Sequence, residues 1–522
     1  MAGAWASGLL VSFITLVPLW LFTRRFKKST RMHSVVVFVL GDVGRSPRMM
    51  YHAESFASNG FETYIVGYRG SKPTTALLSA PRAQFFYLAQ LPPFFSHLPF
   101  VIVAPLKIIH QLIAILITIL FTIPNTPEFI IAQNPPSIPT LVVMWFLSRV
   151  TSAKVIIDWH NLGYTILALK LGETHPAVTM AKLIEKFFGR SAYAHLFVTN
   201  AMQDFLVSQW NLRQVGLKIV LHDRPPSHFH RCSPSESHEL FCRLGLTLTS
   251  SSSLQSLLPN FELPRSTPFT TTVPAASSIC PPRDGFPSPV HLPTLREERT
   301  ALLVSSTSWT IDEDFGLLLE ALEIYNRVAS VKGDDQSLPR MLVMITGKGP
   351  LKDMYMGRIQ EAQRTWDFVQ CISAWLDTAD YPLLLGSADI GICLHSSSSG
   401  LDLPMKIVDM FGCGLPVCAL DFACLQELVQ PGWNGMVFKS SEELAGQLIS
   451  LLRGFPRSPM LETLKSAFAK TPDSPSLSSS HSFGSLIDAG QDVGGKWEWT
   501  SWADNWNESI RQSVLGHHVS QS

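Results

Sequence analysis

Short apolar runs alternate along most of the chain with stretches in which apolar residues recur at helical spacing. Near its start, HSVVVFVLGDVGRSPRMMYHAESFASNGFETYIVGYRG has the pattern of a strand, a glycine-containing loop, a helix and a second strand. Short apolar runs of this kind are typical of strands buried in a parallel sheet whose connections are helices. Further runs occur in EFIIAQNPPSIPT, AKVIIDWHNLGYTI, TALLVSSTSW, RMLVMITGKGP and SADIGICL. We therefore predict an α/β fold built from Rossmann-like domains.

Length and a change of composition near the middle divide the chain into domains. Its 522 residues exceed the ~100 to 200 residues of one ordinary domain. Residues 230–296 are rich in Ser, Pro and Thr, a composition that buries too little apolar area to offset chain entropy. We predict a disordered insertion and linker there, between an N-terminal domain at 31–229 and a C-terminal domain at 297–455. The Trp-rich stretch 496–513 predicts a helix that packs back on the domains.

Two apolar segments predict contact with a membrane. Residues 1–23 include an uncharged run long enough to cross a hydrocarbon layer of ~30 Å, and the basic stretch TRRFKK follows it. The positive-inside rule makes this run a single-pass anchor with the remaining chain in the cytosol. Residues 85–123 form a second apolar segment, but a full span would put strands of one sheet on opposite sides of the bilayer. We predict a membrane-associated helix lying in the interface; the alternative is a buried core helix.

The balance of charge argues against nucleic-acid binding, and the spacing of the cysteines argues against a zinc site. Lys and Arg together number 41, as do Asp and Glu, so the chain has no bulk positive charge to attract nucleic acid. The eight cysteines include no CxxC pair and have no histidines at zinc-binding spacing. We expect most of them to be small apolar residues of reduced, cytosolic domains.

Polar side chains follow two of the strands predicted for the N-terminal domain. The first strand ends in a loop that carries Asp42, Gly44, Arg45 and Arg48, and DWHNLGYT follows a later strand. Because ligands of open α/β sheets bind at the carboxyl ends of the strands, both loops are predicted to face a ligand. Asp158 and His160, in the second loop, are candidates for acid–base chemistry.

The stretch Ser387–Phe438 holds the densest set of candidate binding residues. Its strand ADIGICL leads into the polar loop HSSSSGLDLP, and a helix is predicted from Pro404. A helix N-terminus that faces a Ser/Gly loop is suited to bind phosphate oxygens. The earlier sequence Gly347-Lys348-Gly349 offers close backbone approach and a positive charge. The candidate donor-binding residues are Lys348, Ser398, Gly400, Asp402, Lys406 and Asp409.

The motifs GDVGRSPRM, DWHNLGYT and SSSSGLDLPMKIVDMFGCGLPV occur in an order that resembles GT-B glycosyltransferases. The resemblance implies GT-B architecture, with two Rossmann-like domains facing a cleft and the nucleotide sugar on the C-terminal domain. The exact residues of these motifs resemble those of the GT-B glycosyltransferases that extend dolichol-linked sugars. This implies an inverting β-1,4 transfer of mannose from GDP-mannose to dolichol-diphosphate-linked chitobiose, the first mannosylation of the lipid-linked oligosaccharide for N-glycosylation. It also implies the endoplasmic reticulum membrane, with the catalytic domains on its cytosolic face.

The resemblance assigns roles to residues but leaves alternatives. An inverting transfer needs one base from the acceptor domain; we favour Asp42, with Asp158 and His160 as alternatives. Asp409 is similar to the acidic residue that binds the donor ribose. The basic pair usual after the first donor-domain strand is replaced by SSTSWT, which leaves several candidates to neutralise the diphosphate. They are Arg45, Arg48, Lys348 and Lys406.

No tightly bound cofactor is expected. A divalent metal stays open as an alternative but is not indicated, because no Asp-x-Asp-like pair lies at a strand end. Asp312 and Asp314 fall in the first turn of a predicted helix, where they stabilise the helix dipole. Other enzymes of the same pathway are candidate partners. Two alternatives remain: a transferase for lipid-linked sugars that uses a different nucleotide sugar, and an inactive GT-B-like subunit that recruits an enzyme to the membrane.

Overall fold

The apolar runs of the first half of the chain form a seven-stranded parallel sheet. Its strands are β1 (Ser34–Asp42), β2 (Glu62–Tyr68), β3 (Ala83–Tyr87), β4 (Phe129–Asn134), β5 (Lys154–Trp159), β6 (Ala194–Phe197) and β7 (Leu217–Val220). They lie in the order β3-β2-β1-β4-β5-β6-β7. The order reverses between β1 and β4, so the carboxyl ends of the central strands border the crevice in which open α/β sheets bind ligands.

The second half forms a six-stranded parallel sheet and a small antiparallel hairpin. The hairpin strands are β8 (Thr270–Pro274) and β9 (His291–Leu295); the sheet strands are β10 (Ala301–Ser306), β11 (Met341–Thr346), β12 (Val369–Ala374), β13 (Ile390–Cys393), β14 (Val417–Leu420) and β15 (Gly435–Phe438). The sheet order is β12-β11-β10-β13-β14-β15, with its reversal between β10 and β13. Both sheets therefore have the predicted doubly wound topology.

Helices connect the strands of each sheet. In the first domain they are α1 (Pro47–Ser58), α2 (Thr75–Ser79), α3 (Phe100–Ile117, continued by a π-helical turn at Thr118–Thr122), α4 (Thr140–Thr151), α5 (Gly163–Leu171), α6 (Pro176–Gly189) and α7 (Asn200–Gln209). In the second they are α8 (Pro234–Arg243), α9 (Gly245–Leu248), α10 (Ser252–Leu257), α11 (Phe315–Ser330), α12 (Lys352–Ala362), α13 (Asp380–Ser387), α14 (Met405–Gly412), α15 (Ser441–Leu452) and α16 (Pro459–Ser466). Helix α17 (Trp502–Trp506) ends in a π-helical turn at Asn507–Arg511.

The structure, a computed structural model, divides into two compact units. It describes residues 33–92, 100–212, 215–249, 251–274, 291–310, 313–331, 338–377, 379–397, 399–468 and 501–515. One unit contains the described residues up to Asp223 together with those from Trp502, and the other runs from Arg224 to Ser501. The predicted anchor at 1–23 lies outside the described residues.

Helical spacing of apolar residues explains why the helices cover the sheets. In α11, Phe315, Leu318, Leu319 and Leu322 follow the i, i+3, i+4, i+7 pattern, and all four are buried against the second sheet. Full burial of such a side chain contributes roughly 1.5–3 kcal/mol each. Asp314 caps this helix by accepting a hydrogen bond from the Gly316 N–H at 2.8 Å, which agrees with the predicted role at the helix start.

The prediction of disorder at 230–296 is wrong for the parts that the structure describes. Helix α8 begins with a capping box, in which Ser233 and Glu236 satisfy each other's backbone N–H groups. Leu240 and Phe241 on this helix are fully buried in the core of the second domain. The composition average hid the few apolar residues that lie at helical spacing and supply this burial. Residues 275–290 lie outside the described part of the chain.

The apolar segment at 85–123 begins as a strand, since Phe85 lies in β3 at the edge of the first sheet. Within the described residues, Pro105–Thr122 is the one helical stretch long and apolar enough to cross a membrane, with 28% of it buried. Ile115 is fully buried against the domain, whereas Ile109 and Ile113 are about half exposed, at 53% and 52%. The helix therefore presents one apolar side to the protein and another outward.

The stretch 496–513, predicted to be a helix that packs back on the domains, contains helix α17, which packs on the first domain. Trp502, Trp506 and Ile510 are buried in the same apolar cluster as residues of β1 and α1. The Trp502 indole N–H donates a hydrogen bond to the Ser55 Oγ at 3.0 Å. Residues 496–500 of the predicted helix lie outside the described residues.

Buried His195 on β6 predicts a loss of stability in acid. Burial lowers the pKa of His195 to about 4, while its value in an unfolded chain is ~6.5. Below pH 6.5 the unfolded chain therefore binds a proton that the folded domain excludes. The resulting stability is fully present above pH 6.5 and is lost toward pH 4, by about 3 kcal/mol for this group.

Urea denaturation between pH 7 and pH 4.5 checks this expectation. The Trp159 indole N–H donates to the His195 Nδ1 at 3.2 Å, and His195→Asn keeps an acceptor near that atom while removing the titrating group. The variant should lose less stability than the wild type across this pH range. An equal loss in both proteins would contradict the assignment to His195.

Candidate functional site

Four βα loops of the second domain meet at the carboxyl edge of its sheet. Register pairs Ser306 of β10 with Thr346 of β11, and Thr346 with Ala374 of β12. β13 is in register with β10 as well. The loops that follow these four strands therefore begin at the same height along the strand direction. This is the edge at which the sequence predicted donor binding.

Two glycines let the loops after β10 and β11 touch. A Cβ at Gly347 would collide with the carbonyl oxygen of Thr307, and one at Gly349 with that of Ser308. Gly347 also has a φ of +124°, a conformation that favours glycine. Between them, Lys348 places its Nζ 3.6 Å from the centre of the Trp375 ring. Trp375 is 61% exposed, so a cation and an open aromatic face lie side by side at this edge.

Sequence reasoning missed Glu313, which pairs with the predicted donor residue Lys406. The Lys406 Nζ contacts one carboxylate oxygen of Glu313, and the Thr307 hydroxyl and the Ser308 N–H, at 2.9 Å, donate to the other. The Glu313 side chain is buried, whereas Lys406 is 24% exposed. The pair links the loop after β10 to the first turn of α14 and fixes the position of Lys406. Glu313 stands between Asp312 and Asp314 in sequence, and no pattern of neighbouring residues distinguishes it from these two.

The predicted serine loop is organised by Asp402. Its Oδ1 accepts hydrogen bonds from the Ser397 and Ser399 hydroxyls, and the Gly400 N–H donates to the Ser397 Oγ at 2.9 Å. Gly400 has a φ of +70°, which explains the glycine at this position. Asp402 therefore orients the loop. Ser398, a predicted donor contact, lies outside the described residues.

Asp409 is the fifth residue of α14, as predicted, and is partly buried. Its negative charge acts on Tyr381, whose pKa is raised mainly by burial and further by Asp409. The Tyr381 hydroxyl donates to the Ser306 Oγ at 3.1 Å. Asp409 thus lies near the end of β10, at the same edge as the loops above.

In the first domain, Asp42 ends β1 and holds the loop that follows it. Its Oδ1 accepts from the Gly44 N–H at 3.0 Å, and its Oδ2 from the Ser71 N–H at 2.8 Å. Burial acts to raise the pKa of Asp42, but the hydrogen bonds from Ser71 and Gly44 outweigh it and lower the pKa. A Cβ at Gly44 would collide with the Ser71 carbonyl oxygen. Arg45 beside them is exposed, with its Nε 3.2 Å from the Ser71 Oγ.

Arg48, predicted to contact the diphosphate, is instead buried in the domain. Its Nε and Nη2 donate to the two oxygens of Asp158 at 2.9 Å each, and its Nη1 donates to Asp223 at 2.7 Å and to the Leu221 carbonyl at 2.8 Å. Only 4% of the Arg48 side chain is exposed. Because its donors are directed at the protein, this guanidinium cannot reach a diphosphate without breaking the network.

Asp158, a candidate base, is also enclosed. Its Oδ2 accepts a hydrogen bond from the Arg48 Nε. The same oxygen lies 3.1 Å from the His52 Nε2 and 2.7 Å from the His160 Nε2. Burial acts to raise the pKa of Asp158, but Arg48 and the two imidazoles hold it well below its usual range. A fully buried carboxylate with these partners orients its neighbours and does not itself take a proton from a substrate.

His160 lies at the outer end of this network. Asp158 is ionised and can only accept, so the His160 Nε2 carries the proton and donates, and Nδ1 keeps its lone pair. The His160 side chain is 22% exposed. An imidazole held by a buried carboxylate, with its second nitrogen available, is the arrangement of a general base. Of the three candidate bases, the geometry favours His160.

One group of side chains in the described part of the chain could place metal-ligating atoms together. His230, Cys232 and Glu236 have ligand atoms within 4.8 Å of one another. The capping box of α8 already uses Glu236, and the His230 Nε2 lies 2.8 Å from its Oε1. Hydrogen bonding at a helix start therefore accounts for this cluster.

Comparisons with known proteins identify relatives of this chain among the glycosyltransferases. A family model described as glycosyl transferases group 1 matches residues 302–454. The Homo sapiens chitobiosyldiphosphodolichol beta-mannosyltransferase is 43% identical over 449 residues, covering 86% of this chain and 91% of the relative. The UDP-glycosyltransferase TURAN of Arabidopsis thaliana is 43% identical over 437 residues, covering 80% and 89%.

A solved structure supports the fold. Sucrose-phosphate synthase from Thermosynechococcus elongatus matches with a TM-score of 0.53 at 12% identity, covering 84% of this chain and 93% of that chain. Together with the two doubly wound sheets, this match confirms the predicted GT-B fold class. At this identity it carries no information about substrate.

Proposed function

Because the chain belongs to the chitobiosyldiphosphodolichol beta-mannosyltransferase family, we propose that it transfers mannose from GDP-mannose to GlcNAc2-diphosphodolichol, in β-1,4 linkage and with inversion. The chain is a glycosyltransferase. The observation that carries the proposal is the identity of 43% across 86% of this chain and 91% of the human relative. Identity of this extent includes both domains, and therefore both predicted binding edges.

Donor binding is proposed at the carboxyl edge of the second sheet. Lys348 supplies positive charge for the diphosphate, and Trp375 beside it offers a face on which guanine stacks. Lys406, held by Glu313, and the N-terminal turn of α14 add charge and N–H donors. Asp409 is proposed to bind the donor ribose. In this proposal these donors stabilise the charge of the leaving GDP.

The proposed base is His160. The acceptor hydroxyl oxygen attacks C1 of mannose, the bond between C1 and the diphosphate oxygen breaks, and its electron pair leaves with GDP. The hydroxyl proton passes to the His160 Nδ1. Asp158 holds the imidazole and stabilises the positive charge that forms on it. In this proposal Asp42 orders the loop that carries Gly44 and Arg45, and exposed Arg45 is available to the acceptor diphosphate.

Membrane contact is proposed for helix α3, on the cytosolic face of the endoplasmic reticulum. Its outward side carries Ile109, Ile113 and Ile117, each about half exposed. An apolar helix face of this kind lies stably among lipid headgroups and acyl chains. Contact there would bring the first domain to the membrane in which a dolichol-linked acceptor is dissolved.

A transfer assay tests the proposed function. Purified full-length protein is incubated with chitobiosyl diphosphate lipid and either GDP-mannose or UDP-linked sugars, and the product is analysed by mass spectrometry and by NMR of the new linkage. The proposal expects one β-linked mannose from GDP-mannose only. Transfer from a UDP-sugar only, or from neither, would overturn it.

A second candidate function is transfer from a UDP-sugar, since one relative at 43% identity is named as a UDP-glycosyltransferase. The same assay separates the two, because each donor is supplied alone. Saturation with GDP-mannose and with UDP-glucose, measured by isothermal titration without acceptor, gives an independent comparison of nucleotide preference.

Replacing Trp375 by alanine is expected to weaken donor binding. Stacking of a base on an aromatic ring contributes about 1–3 kcal/mol, so KM for GDP-mannose should rise roughly 5- to 150-fold. Trp375→Phe, which keeps an aromatic face, is the matched control and should lose far less. The measurement is initial rate against donor concentration; an unchanged KM in Trp375→Ala would remove this residue from the donor site.

A further inference from the structure

The imidazole of His52 lies between the C-terminal helix and the Asp158 network. We propose that Trp506 of α17 is a positioning residue for the transfer reaction: its indole N–H sets the tautomer of His52, which in turn holds Asp158 and His160. This inference rests on the role proposed above for His160.

The first link is a hydrogen bond whose direction is fixed. Trp506 is fully buried, and its Nε1 lies 3.0 Å from the His52 Nδ1. An indole N–H can only donate. The His52 Nδ1 must therefore be unprotonated, and in the neutral imidazole the proton resides on Nε2.

The second link follows from that tautomer. The His52 Nε2 lies 3.1 Å from the Asp158 Oδ2, and the N–H there donates to the carboxylate. In the other tautomer a lone pair on Nε2 would face an anionic oxygen, in a site where both residues are fully buried. Buried groups feel such repulsion strongly, because little solvent screens them.

The third link reaches the proposed base. The same oxygen of Asp158 that accepts from His52 also accepts from the His160 Nε2, at 2.7 Å. A displacement of Asp158 away from a wrongly protonated His52 would therefore change the orientation of His160 directly. Arg48 also binds both oxygens of Asp158. Because its guanidinium is always protonated, it does not respond to a change of tautomer in His52.

Core packing alone does not explain why position 506 needs an N–H. Phenylalanine would fill most of the same space beside Phe56, whose ring lies 5.0 Å from the Trp506 ring. The His52 ring is neutral because its Nδ1 accepts the Trp506 N–H, and burial lowers the pKa of His52 in the same sense. The Asp158 carboxylate favours a proton on the His52 Nε2, and the Trp506 donor disfavours one on Nδ1. Together the two partners stabilise a single protonation state of the ring.

Trp506→Phe tests the proposal, with Trp502→Phe as its matched control. Trp502 lies one helical turn earlier, and its replacement also removes one buried indole hydrogen bond, to Ser55. Its ring packs against His52 and Arg48, and phenylalanine keeps an aromatic ring at that position, so the control leaves the hydrogen bond to the His52 Nδ1 in place. We expect kcat of Trp506→Phe to fall about tenfold, part of the roughly 10²- to 10⁴-fold that a positioned base contributes. KM for GDP-mannose should change less than twofold, and Trp502→Phe should retain most of the wild-type kcat. Equal losses in the two variants would overturn the proposal.

A double-mutant cycle with His52→Gln separates positioning from structure. A glutamine amide can donate to Asp158 from near the Nε2 position and has no tautomers. In the His52→Gln background, Trp506→Phe should therefore change kcat less than twofold, so the two substitutions are strongly non-additive. The same tenfold loss in both backgrounds would show that Trp506 acts through packing alone.

NMR of protein labelled with 15N-histidine gives a readout that does not depend on activity. His52 in the wild type should show a protonated Nε2 and an unprotonated Nδ1, and Trp506→Phe should show exchange between tautomers. An unchanged His52 spectrum in Trp506→Phe would refute the coupling whatever the enzyme transfers. A changed spectrum in a protein with no mannose transfer would instead refute the proposed function and leave the coupling intact.

Discussion

Replacing His160 by alanine is expected to lower kcat for mannose transfer by roughly 10²- to 10⁴-fold, with KM for GDP-mannose nearly unchanged. The expectation follows from the geometry: Asp158 fixes the proton on the His160 Nε2, at 2.7 Å, and leaves the Nδ1 lone pair to accept the acceptor's proton. Loss of a group that acts only in the transition state lowers kcat and leaves donor binding intact. Initial rates against donor and acceptor concentration provide the measurement.

Two further variants give this result its meaning. His175→Ala removes an exposed histidine of the same domain, at the start of α6, and should keep most of the activity. Asp42→Ala tests the residue that sequence reasoning favoured as base; we expect a smaller loss, because Asp42 is committed to the N–H groups of Gly44 and Ser71. Near-wild-type kcat in His160→Ala together with inactive Asp42→Ala would transfer the role to Asp42.

Replacing Arg48 by methionine is expected to destabilise the first domain by about 3–5 kcal/mol, the cost of removing one partner of a buried ionic network. Methionine fills part of the space but leaves Asp158 and Asp223 without the guanidinium that binds both. The carboxylates would then have to take up protons or water. Urea or thermal denaturation followed by tryptophan fluorescence measures the loss.

Arg45→Met is the matched comparison, three residues away in the same motif. The Arg45 side chain is 81% exposed, and exposed ion pairs contribute only about 0–1 kcal/mol. Arg45→Met should therefore keep its unfolding midpoint and, in the proposed mechanism, bind acceptor less well. If Arg48→Met kept full stability and lost only acceptor affinity, the buried network would not have the structural role assigned to it.

The alternation of apolar runs and amphipathic stretches was sufficient to predict both parallel sheets. The prediction succeeded because strands buried on both faces are mostly apolar, as in β10 and β11, and because helices such as α11 repeat buried residues at helical spacing. The prediction of disorder was wrong at 230–274, because the averaged composition concealed the apolar residues of α8. A window as short as one helix would have found Leu240 and Phe241.

At the site, sequence placed residues at strand ends but did not give the direction of their side chains. Arg48 was assigned to a ligand, but all residues from Arg48 to Ala53 in α1 are buried in the folded domain. Because burial there is not limited to one face of the helix, helical spacing could not show that Arg48 points inward. Glu313 and Trp506 could not be identified in this way either, because their partners are distant in sequence and only the folded chain brings them together.

The position of α17 has a consequence for the synthesis of the protein. In sequence, the whole second domain lies between the main part of the first domain and helix α17. The first domain therefore cannot be completed until α17 has been translated. On the ribosome, the groove formed by His52 and Phe56 stays open to solvent throughout that interval. A premature stop codon between Phe438 and Trp502 would therefore leave an apolar surface for chaperones and the degradation machinery to bind, even though every strand of both sheets had been made.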